Sequence, residues 1–509
     1  MKVLNRLLIL LALASLAGCV SAPLDYPKEP SYAIEETSST LEAFEVDEWL
    51  GGRTDANGFY PLSKGFDAFG ARLGLMHNAE VSIDVQYFLM KPDNAGLVFA
   101  GKLLEAADRG VRVRLLLDDV FTTVDDVDLA MLDDHPNIEV RIFNPIARKG
   151  VYAFNYIGHF SVSNRRMHNK SFTVDNQVSI VGGRNIAVEY FQLETSGEFI
   201  DFDMICAGPI VREVSAEFDT YWNHKMAVPM AGLRDDINEN RLEKSRAQLQ
   251  RDMKAAGDTI YADAIDTELM QKIAADEIPP YIAEARLISD SPDKLLNKIG
   301  KDQQYVANEL RDALAAAEKQ IYVFTPYFIP GKQGIKFLQE LQEKGIKVVL
   351  LTNSLATNNH TSVHSSYSSY RKDILRAGVE LWEARADAAK IVLPDGESQL
   401  DKLTLHTKGI IIDSRRVFVG SLNLDPRSIE INTEMGLLID SDELGAQLMK
   451  NVDRRLTEIA YRVKLDDKNR LSWHATIDGE EVVETKEPQT SGWNRFTAWF
   501  LKIAPEKQL

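Results

Sequence analysis

A chain of 509 residues, 45% of them hydrophobic, has the material for two sizeable domains with separate cores. Its 58 basic residues are outnumbered by 76 acidic ones, and the net charge of −18 argues against a general binder of nucleic acid, although a local basic groove would be compatible with it. Two cysteines, Cys19 and Cys206, exclude a disulfide scaffold.

Residues 1–19, MKVLNRLLILLALASLAGC, read as an export signal. Lys2 and Arg6 form a basic head, Leu7 to Leu13 an apolar stretch too short for a membrane-spanning helix, and Leu16-Ala17-Gly18-Cys19 a cleavage region. The ending resembles a bacterial lipobox. That implies lipidation of Cys19 and a cell-envelope lipoprotein facing the periplasm. Val20, where Asp would mark inner-membrane retention, favours the outer membrane. The alternative is a plain secretory signal in which Cys19 has no role. Residues 20–45, with Pro23, Pro27 and Pro30 before EETSST, read as a tether. Cys206, in the apolar run DMICAGP, reads as an inert core thiol.

The first half, 46–228, alternates strand and helix signals. AEVSIDVQYF (79–88) reads as a strand, GLVFAGKLLEAADRG (96–110) as an amphipathic helix, VRVRLLLDD (111–119) as a buried strand, and RMHNKSFTVD as a strand closed by a polar turn at Asp175-Asn176. Residues 229–294 are charged and helix-prone (RDDINENRLEKSRAQLQRDMKAA) and read as a helical linker or insertion with a solvated face. The second half, 295–460, repeats the order: KQIYVFTPYF (319–328) a strand, GIKFLQELQEKG (334–345) a helix, IKVVLLTNS (346–354) a strand, and TLHTKGIIID a strand ending at Asp413-Ser414. Tyr87-Phe88 matches Tyr327-Phe328, and Gly110 matches Gly345. This β-α-β order predicts an α/β layered sheet in each half. Residues 461–509 differ: SWHATIDGEEVVE predicts a hairpin turning at Asp478-Gly479. Trp493, Phe496, Trp499, Phe500 and Ile503 then fall at helical spacing, flanked by Arg495 and Lys502. Two readings fit this amphipathic helix, an interfacial membrane helix or a helix packed on the second domain.

The halves also share a motif. His168-Asn169-Lys170 is followed, four residues on, by Asp175 and, six further, by Gly182-Gly183-Arg184-Asn185. His406-Thr407-Lys408 is followed at the same spacings by Asp413 and Gly420-Ser421-Leu422-Asn423. One copy lies in each half, so a whole domain is repeated. Side chains alternate along a strand, which puts His168 and Lys170 on one face, and likewise His406 and Lys408. An imidazole beside an ammonium suits a phosphate: the Lys binds anionic oxygens and the His attacks phosphorus or passes a proton. The glycine turn admits close backbone approach, and Asn185 or Asn423 can donate an amide hydrogen bond. Pairing the halves gathers two His, two Lys and two Asn around one phosphate. Asp175 and Asp413 belong to the pattern but fall on the opposite strand face. They read either as turn-stabilising carboxylates or as members of the catalytic set.

Both HxKxxxxDxxxxxxG[GS]xN motifs resemble those of the phospholipase D superfamily, over roughly residues 50–460. The resemblance implies two phospholipase D-type α/β lobes related by a pseudo-twofold axis, with the active site between them. RRMHNKSFTVDNQVSIVGGRNIAVEYF resembles the first motif of bacterial cardiolipin synthases, and Asn423-Leu424-Asp425-Pro426-Arg427-Ser428 with Asn432 and Glu434 resembles their second. NSLATNNHTSVHSSYSSYRKDILRAGVELWE (353–383), LISDSPDK (287–294) and the terminal Pro-Glu-Lys-Gln-Leu are similar to their C-type group. Gly183 departs from the general Gly-Ser pattern and lacks the hydroxyl that Ser421 brings.

What the resemblance implies is a two-step phosphatidyl transfer. His168 forms a phosphohistidine, and His406 protonates the leaving alcohol and then deprotonates the acceptor. Lys170, Lys408, Asn185, Asn423 and Ser421 bind phosphate oxygens, while Asp201 and Glu434 orient the histidines. His364, Tyr367, Tyr370 and Arg371 form either a lipid-headgroup contact or a helix surface. No metal and no other cofactor is expected, because two ammonium groups supply the positive charge. The expected partners are phospholipids, with phosphatidylglycerol as acceptor and phosphatidylethanolamine as a candidate donor. A membrane would be held through Cys19 and the C-terminal helix, no nucleic acid is expected, and both motifs in one chain suggest a monomer. Competing readings are a hydrolytic phospholipase D, a nuclease and a non-catalytic envelope lipoprotein.

Overall fold

The computed structural model describes residues 21–149, 152–191, 198–233, 239–259, 262–275, 277–297, 305–388, 403–450 and 452–503. Cys19 and the rest of the export signal lie outside the described residues. The first lobe contains β1 (Asn57–Leu62), β2 (Ser82–Tyr87), β3 (Arg112–Asp118), β4 (Ile138–Phe143), β5 (Ser171–Val174), β6 (Val178–Gly182), β7 (Glu198–Ile200), β8 (Asp203–Ala207) and β9 (Ala227–Pro229). Strands β2, β3 and β4 are parallel and fully or nearly buried, as β-branched runs connected by helices require. Antiparallel pairing extends the sheet to the order β9-β4-β3-β2-β5-β6-β8-β1.

The second lobe contains β10 (Tyr281–Ser289), β11 (Gln320–Phe324), β12 (Lys347–Asn353), β13 (Glu380–Ala384), β14 (Leu403–Leu405), β15 (Gly409–Ile412), β16 (Arg416–Gly420), β17 (Met435–Asp440), β18 (Ala460–Leu465), β19 (Leu471–Ile477) and β20 (Glu480–Glu484). Its order, β18-β13-β12-β11-β15-β16-β17-β10, repeats the first lobe strand for strand. Each lobe has its own apolar core. A third apolar cluster joins them: Val181, Met204 and Cys206 of the first lobe meet Val419, Met435 and Leu437 of the second. This greasy seam fixes how the two motifs face each other. Burial pushes the Cys206 thiol up to about 12, so it stays protonated and inert.

Two segments differ from expectation. Residues 281–289, placed by composition in a helical linker, form β10, which pairs with β17 of its own lobe and with β1 of the other. Two open sheet edges supply the partners that local propensity did not show. The preceding helix, Glu239–Gly257, packs on the helices Asn94–Asp108 and Asp126–Asp133 and buries Leu249 and Ala256. From residue 21 onward the supposed tether lies along the first lobe. Its carbonyls satisfy buried guanidiniums, Arg141 donating to Glu29 O (2.8 Å) and Arg114 to Ser31 O (2.9 Å), while Leu41–Trp49 is helical.

The C-terminal hairpin turns at Asp478-Gly479, both at positive φ, and continues the second lobe's sheet through β18. The helix Gly492–Phe500 packs on Thr361–Arg376 and buries Ala498. Its aromatic face stays open: Trp493 is 73% exposed, Phe496 50%, Trp499 66% and Phe500 55%. Among the described residues, no helix is long and apolar enough to cross a membrane.

Candidate active site

Each motif histidine is delivered by a short segment that pairs with the opposite lobe. Around Met167, the backbone exchanges hydrogen bonds with Thr433: His168 N donates to Thr433 O and Thr433 N to Arg166 O, both at 3.0 Å. In mirror fashion β14 pairs with β7, and His406 N donates to Ile200 O at 2.7 Å. The next residue in each partner segment is an acid. His168 Nδ1 therefore meets Glu434 Oε2 at 2.8 Å, and His406 Nδ1 meets Asp201 Oδ2 at 2.6 Å. The sequence marked both acids as orienting groups, and the structure shows that each serves the histidine of the other lobe. With Nδ1–H given to a carboxylate, Nε2 is the basic nitrogen of the His168 ring, whereas at His406 Lys408 Nζ also stands 2.6 Å from Nδ1 and 3.1 Å from Nε2.

Lys170 and Lys408 are buried beside the histidines, and each Nζ donates to the carbonyl of its own motif His at 2.5 Å. Asn185 Nδ2 donates to Tyr190 OH at 2.8 Å, while Oδ1 of both Asn185 and Asn423 has no partner. Aromatic walls close the crevice. Phe88 stands edge-on to His168 at 4.7 Å, and Tyr190 and Phe199 lie 5.2 and 5.0 Å from His406.

Burial dominates the electrostatics of the site. Burial and the neighbouring Lys170, Lys408 and Arg427 charges hold the His168 imidazole well below its usual range. Burial and Lys408 bring His406 down to about 3. Burial also lowers the ammonium groups, Lys170 to about 7 and Lys408 to about 8. The acids are unequal. Burial raises Glu434 to about 7, whereas Lys408 and His406 outweigh burial at Asp201 and hold it near 2. Lowered cations in a buried pocket regain their protons when a phosphate enters.

Several expected residues sit elsewhere. Ser421, expected on the phosphate, donates its hydroxyl to Glu434 Oε2 at 2.5 Å and accepts from Met435 N at 3.0 Å. At the matching Gly183, an added Cβ would lie 2.2 Å from Asp201 Oδ1. The first lobe thus uses a shorter acid and leaves out the serine that the second lobe keeps.

Asp175, expected with the catalytic set, accepts from Glu80, Val81 and Ser82 N–H groups at 3.0, 2.8 and 2.8 Å. Asp413 accepts from Glu318, Lys319 and Gln320 at 2.8, 2.8 and 2.9 Å. Both sit in tight turns with two successive positive-φ residues, and they tie the motif hairpin to its neighbouring strand. They are turn-stabilising carboxylates, as one of the two readings had it.

The headgroup group is also corrected. His364, Tyr367 and Arg371 are buried under the C-terminal hairpin. Arg371 donates to Glu383 (2.6 Å) and Glu487, Tyr367 OH to Glu383 (2.7 Å), and Trp473 Nε1 to Glu383 (2.8 Å). Such a network fixes the tail rather than a ligand. Tyr370, on the same helix, packs partly buried against the second-lobe core. Conversely, Phe199 and Thr433 line or brace the crevice and carried no spacing signal, because the histidines they meet lie in the other lobe.

Two α/β lobes sharing one crevice, with a His-Lys pair from each and a carboxylate crossing behind each His, define a double-motif phospholipase D-type enzyme. The family described as "Cardiolipin synthase, PLD-like domain" matches residues 73–222 and 310–456, and the chain belongs to it. It is 37% identical over 455 residues to "Cardiolipin synthase C" of Escherichia coli (strain K12), covering 89% of this chain and 96% of that protein. It is 23% identical over 415 residues to "Cardiolipin synthase" of Clostridium perfringens (strain SM101 / Type A), covering 81% and 73%. Among solved structures it resembles the phosphatidylserine synthase of Haemophilus influenzae Rd KW20, with a TM-score of 0.56 at 15% identity over 90% of this chain and 96% of that one, a likeness of fold.

Proposed function

We propose that the chain is a phosphatidyltransferase of the cardiolipin synthase type, moving a phosphatidyl group from a phospholipid donor to phosphatidylglycerol. The observation that carries the reading is the pair of buried, carboxylate-held histidines flanked by two buried ammonium groups. His168 Nε2 attacks the donor phosphorus and the bond to the headgroup oxygen breaks. His406, protonated once the phosphate charge is in place, gives its proton to the leaving alcohol. Neutral again, it takes the proton of the acceptor hydroxyl, whose oxygen attacks phosphorus and frees His168. Lys170, Lys408, Asn185 and Asn423 hold the non-bridging oxygens as preorganised donors.

The unequal acids favour this division of roles. Asp201, held ionised, suits the ring that must carry a positive charge, whereas Glu434 is held near 7 behind the nucleophile. Each acid–base role is worth about 10²–10⁴-fold. We further place the protein at the envelope membrane, periplasm-facing and by preference at the outer membrane. Lipidated Cys19 and the open aromatic face of Gly492–Phe500 serve as attachments to a bilayer interface, and the enzyme acts as a monomer.

The test is reconstitution in phosphatidylglycerol vesicles, with and without phosphatidylethanolamine, products being read by mass spectrometry beside His168→Ala and His406→Ala. Cardiolipin lost in both variants is the expected result. Phosphatidic acid as the sole product would overturn transfer in favour of hydrolysis.

A further inference from the structure

Arg427 is a charged side chain near the crevice that the transfer chemistry leaves unused. It lies four residues beyond Asn423, on the short helix Pro426–Glu430. Its guanidinium reaches across to the first lobe, Nη1 donating to Asn164 Oδ1 at 2.8 Å and Nη2 to Asn164 O at 3.0 Å. Neutral acceptors alone hold it: among the described residues, no carboxylate comes within ion-pairing distance. Asp425 and Asp118 act on it only at longer range, and a half-buried guanidinium with no carboxylate in direct contact is a candidate site for an anionic ligand.

Its surroundings place it at the crevice. Asn164, which it holds, lies four residues before His168, and Leu424, three residues before Arg427, pairs with Phe328 beside Tyr327. His360 is exposed and stands 5.7 Å from the ring of Tyr327, whose hydroxyl donates to Asn359 at 2.6 Å. The pseudo-twofold gives a control. Four residues beyond Asn185 the first lobe has Glu189, ion-paired with Lys91. The fold therefore does not require a cation at this position.

We propose that Arg427, with His360, forms a second anion site that binds the phosphodiester of the acceptor lipid while its hydroxyl enters the crevice. The inference rests on the transferase reading above. Phosphatidylglycerol differs from water and simple alcohols in carrying a phosphate close to the attacking hydroxyl. Arginine presents planar, forked N–H groups suited to that phosphate. The site would thus select an anionic lipid acceptor over water.

The experiment uses the full chain with phosphatidylethanolamine as donor and, in separate reactions, phosphatidylglycerol or ethanol as acceptor. Cardiolipin and phosphatidylethanol are quantified. Arg427→Gln is expected to lower the ratio of kcat/KM for phosphatidylglycerol over ethanol by about tenfold or more, chiefly through KM for phosphatidylglycerol, with Arg427→Lys recovering part of it. His360→Gln, which leaves the Asn164 contacts alone, should shift the ratio the same way by a smaller factor, and it carries the test if Arg427→Gln does not fold. Ratios unchanged within about twofold, even if both rates fall together, would overturn the acceptor site and assign Arg427 to the transferred phosphate or to structure. Phosphatidylethanol formed at an unchanged ratio sinks this inference alone. No phosphatidyl product from the wild type sinks the transfer reading and this site with it.

Discussion

Glu434 lies 2.8 Å from His168 although the two belong to different lobes, and Asp201 repeats the relation with His406 at 2.6 Å. Neither lobe holds a complete His–carboxylate pair of its own. Glu434→Gln and Asp201→Asn should each lower kcat by about 10²–10⁴-fold with little change in KM. The Asp201 change should be the larger, since that carboxylate alone is held ionised near 2. Steady-state kinetics on both variants decide this, and equal KM-only effects would contradict it.

The pH dependence follows from the same groups. In the free enzyme Lys170 is lowered to about 7 and Lys408 to about 8, so both lose charge as pH rises. Donor kcat/KM, which reports the free enzyme, should decline between about pH 7 and 9, while kcat, measured with phosphate bound, holds to higher pH. A kcat/KM flat across that window would contradict the lowered lysines. Stability runs the other way. His406 is depressed from 6.5 to about 3, so the unfolded chain binds a proton that the folded one does not. Its stabilising contribution is complete above pH 6.5 and is lost as pH falls toward 3. Urea melts at several pH values should show a shallower acid loss in His406→Ala.

Gly183 is fixed by close approach, not by a turn. Because a Cβ there would overlap Asp201 Oδ1, Gly183→Ala should push the carboxylate off His406. Activity should fall about 10–100-fold with the fold retained, whereas Ser421→Ala should cost less, since Glu434 keeps His168. Parallel assays of the two variants test the asymmetry.

Asp175→Ala should be a stability variant. It removes three charge-assisted bonds to backbone N–H groups from a buried turn. The expected loss is about 2–4 kcal/mol by denaturant melts, with kcat per folded molecule near wild type. A selective loss of kcat would return Asp175 to the catalytic set.

Arg371→Met leaves Glu383 buried without its cation. Destabilisation of about 3–5 kcal/mol is expected, with KM for either lipid unmoved. A raised KM at unchanged stability would restore Arg371 as a headgroup contact.

Much of the architecture is legible in the order of residues. The strands at 79–88 and 319–328 and the helices at 96–110 and 334–345 appear as β2, β11 and the helices Asn94–Asp108 and Gly331–Glu343, because alternation and helical spacing are local signals. Strand β10 was not legible. YIAEARLIS carries mixed polarity, and the edges of β17 and β1 make it a strand. Arg371 and Tyr367 look like an exposed polar-aromatic stripe until the C-terminal hairpin covers them.

The sequence, with the family resemblance it carries, determined the chemistry: two His-Lys pairs just ahead of strands β5 and β15, and acids marked at 201 and 434. Only the tertiary structure decided the wiring. The pairing of residue 167 with 433 and of β14 with β7 exchanges the acids between lobes. Contacts between residues so far apart in the chain leave no periodicity to read, because the apolar seam between the lobes sets them, not local spacing.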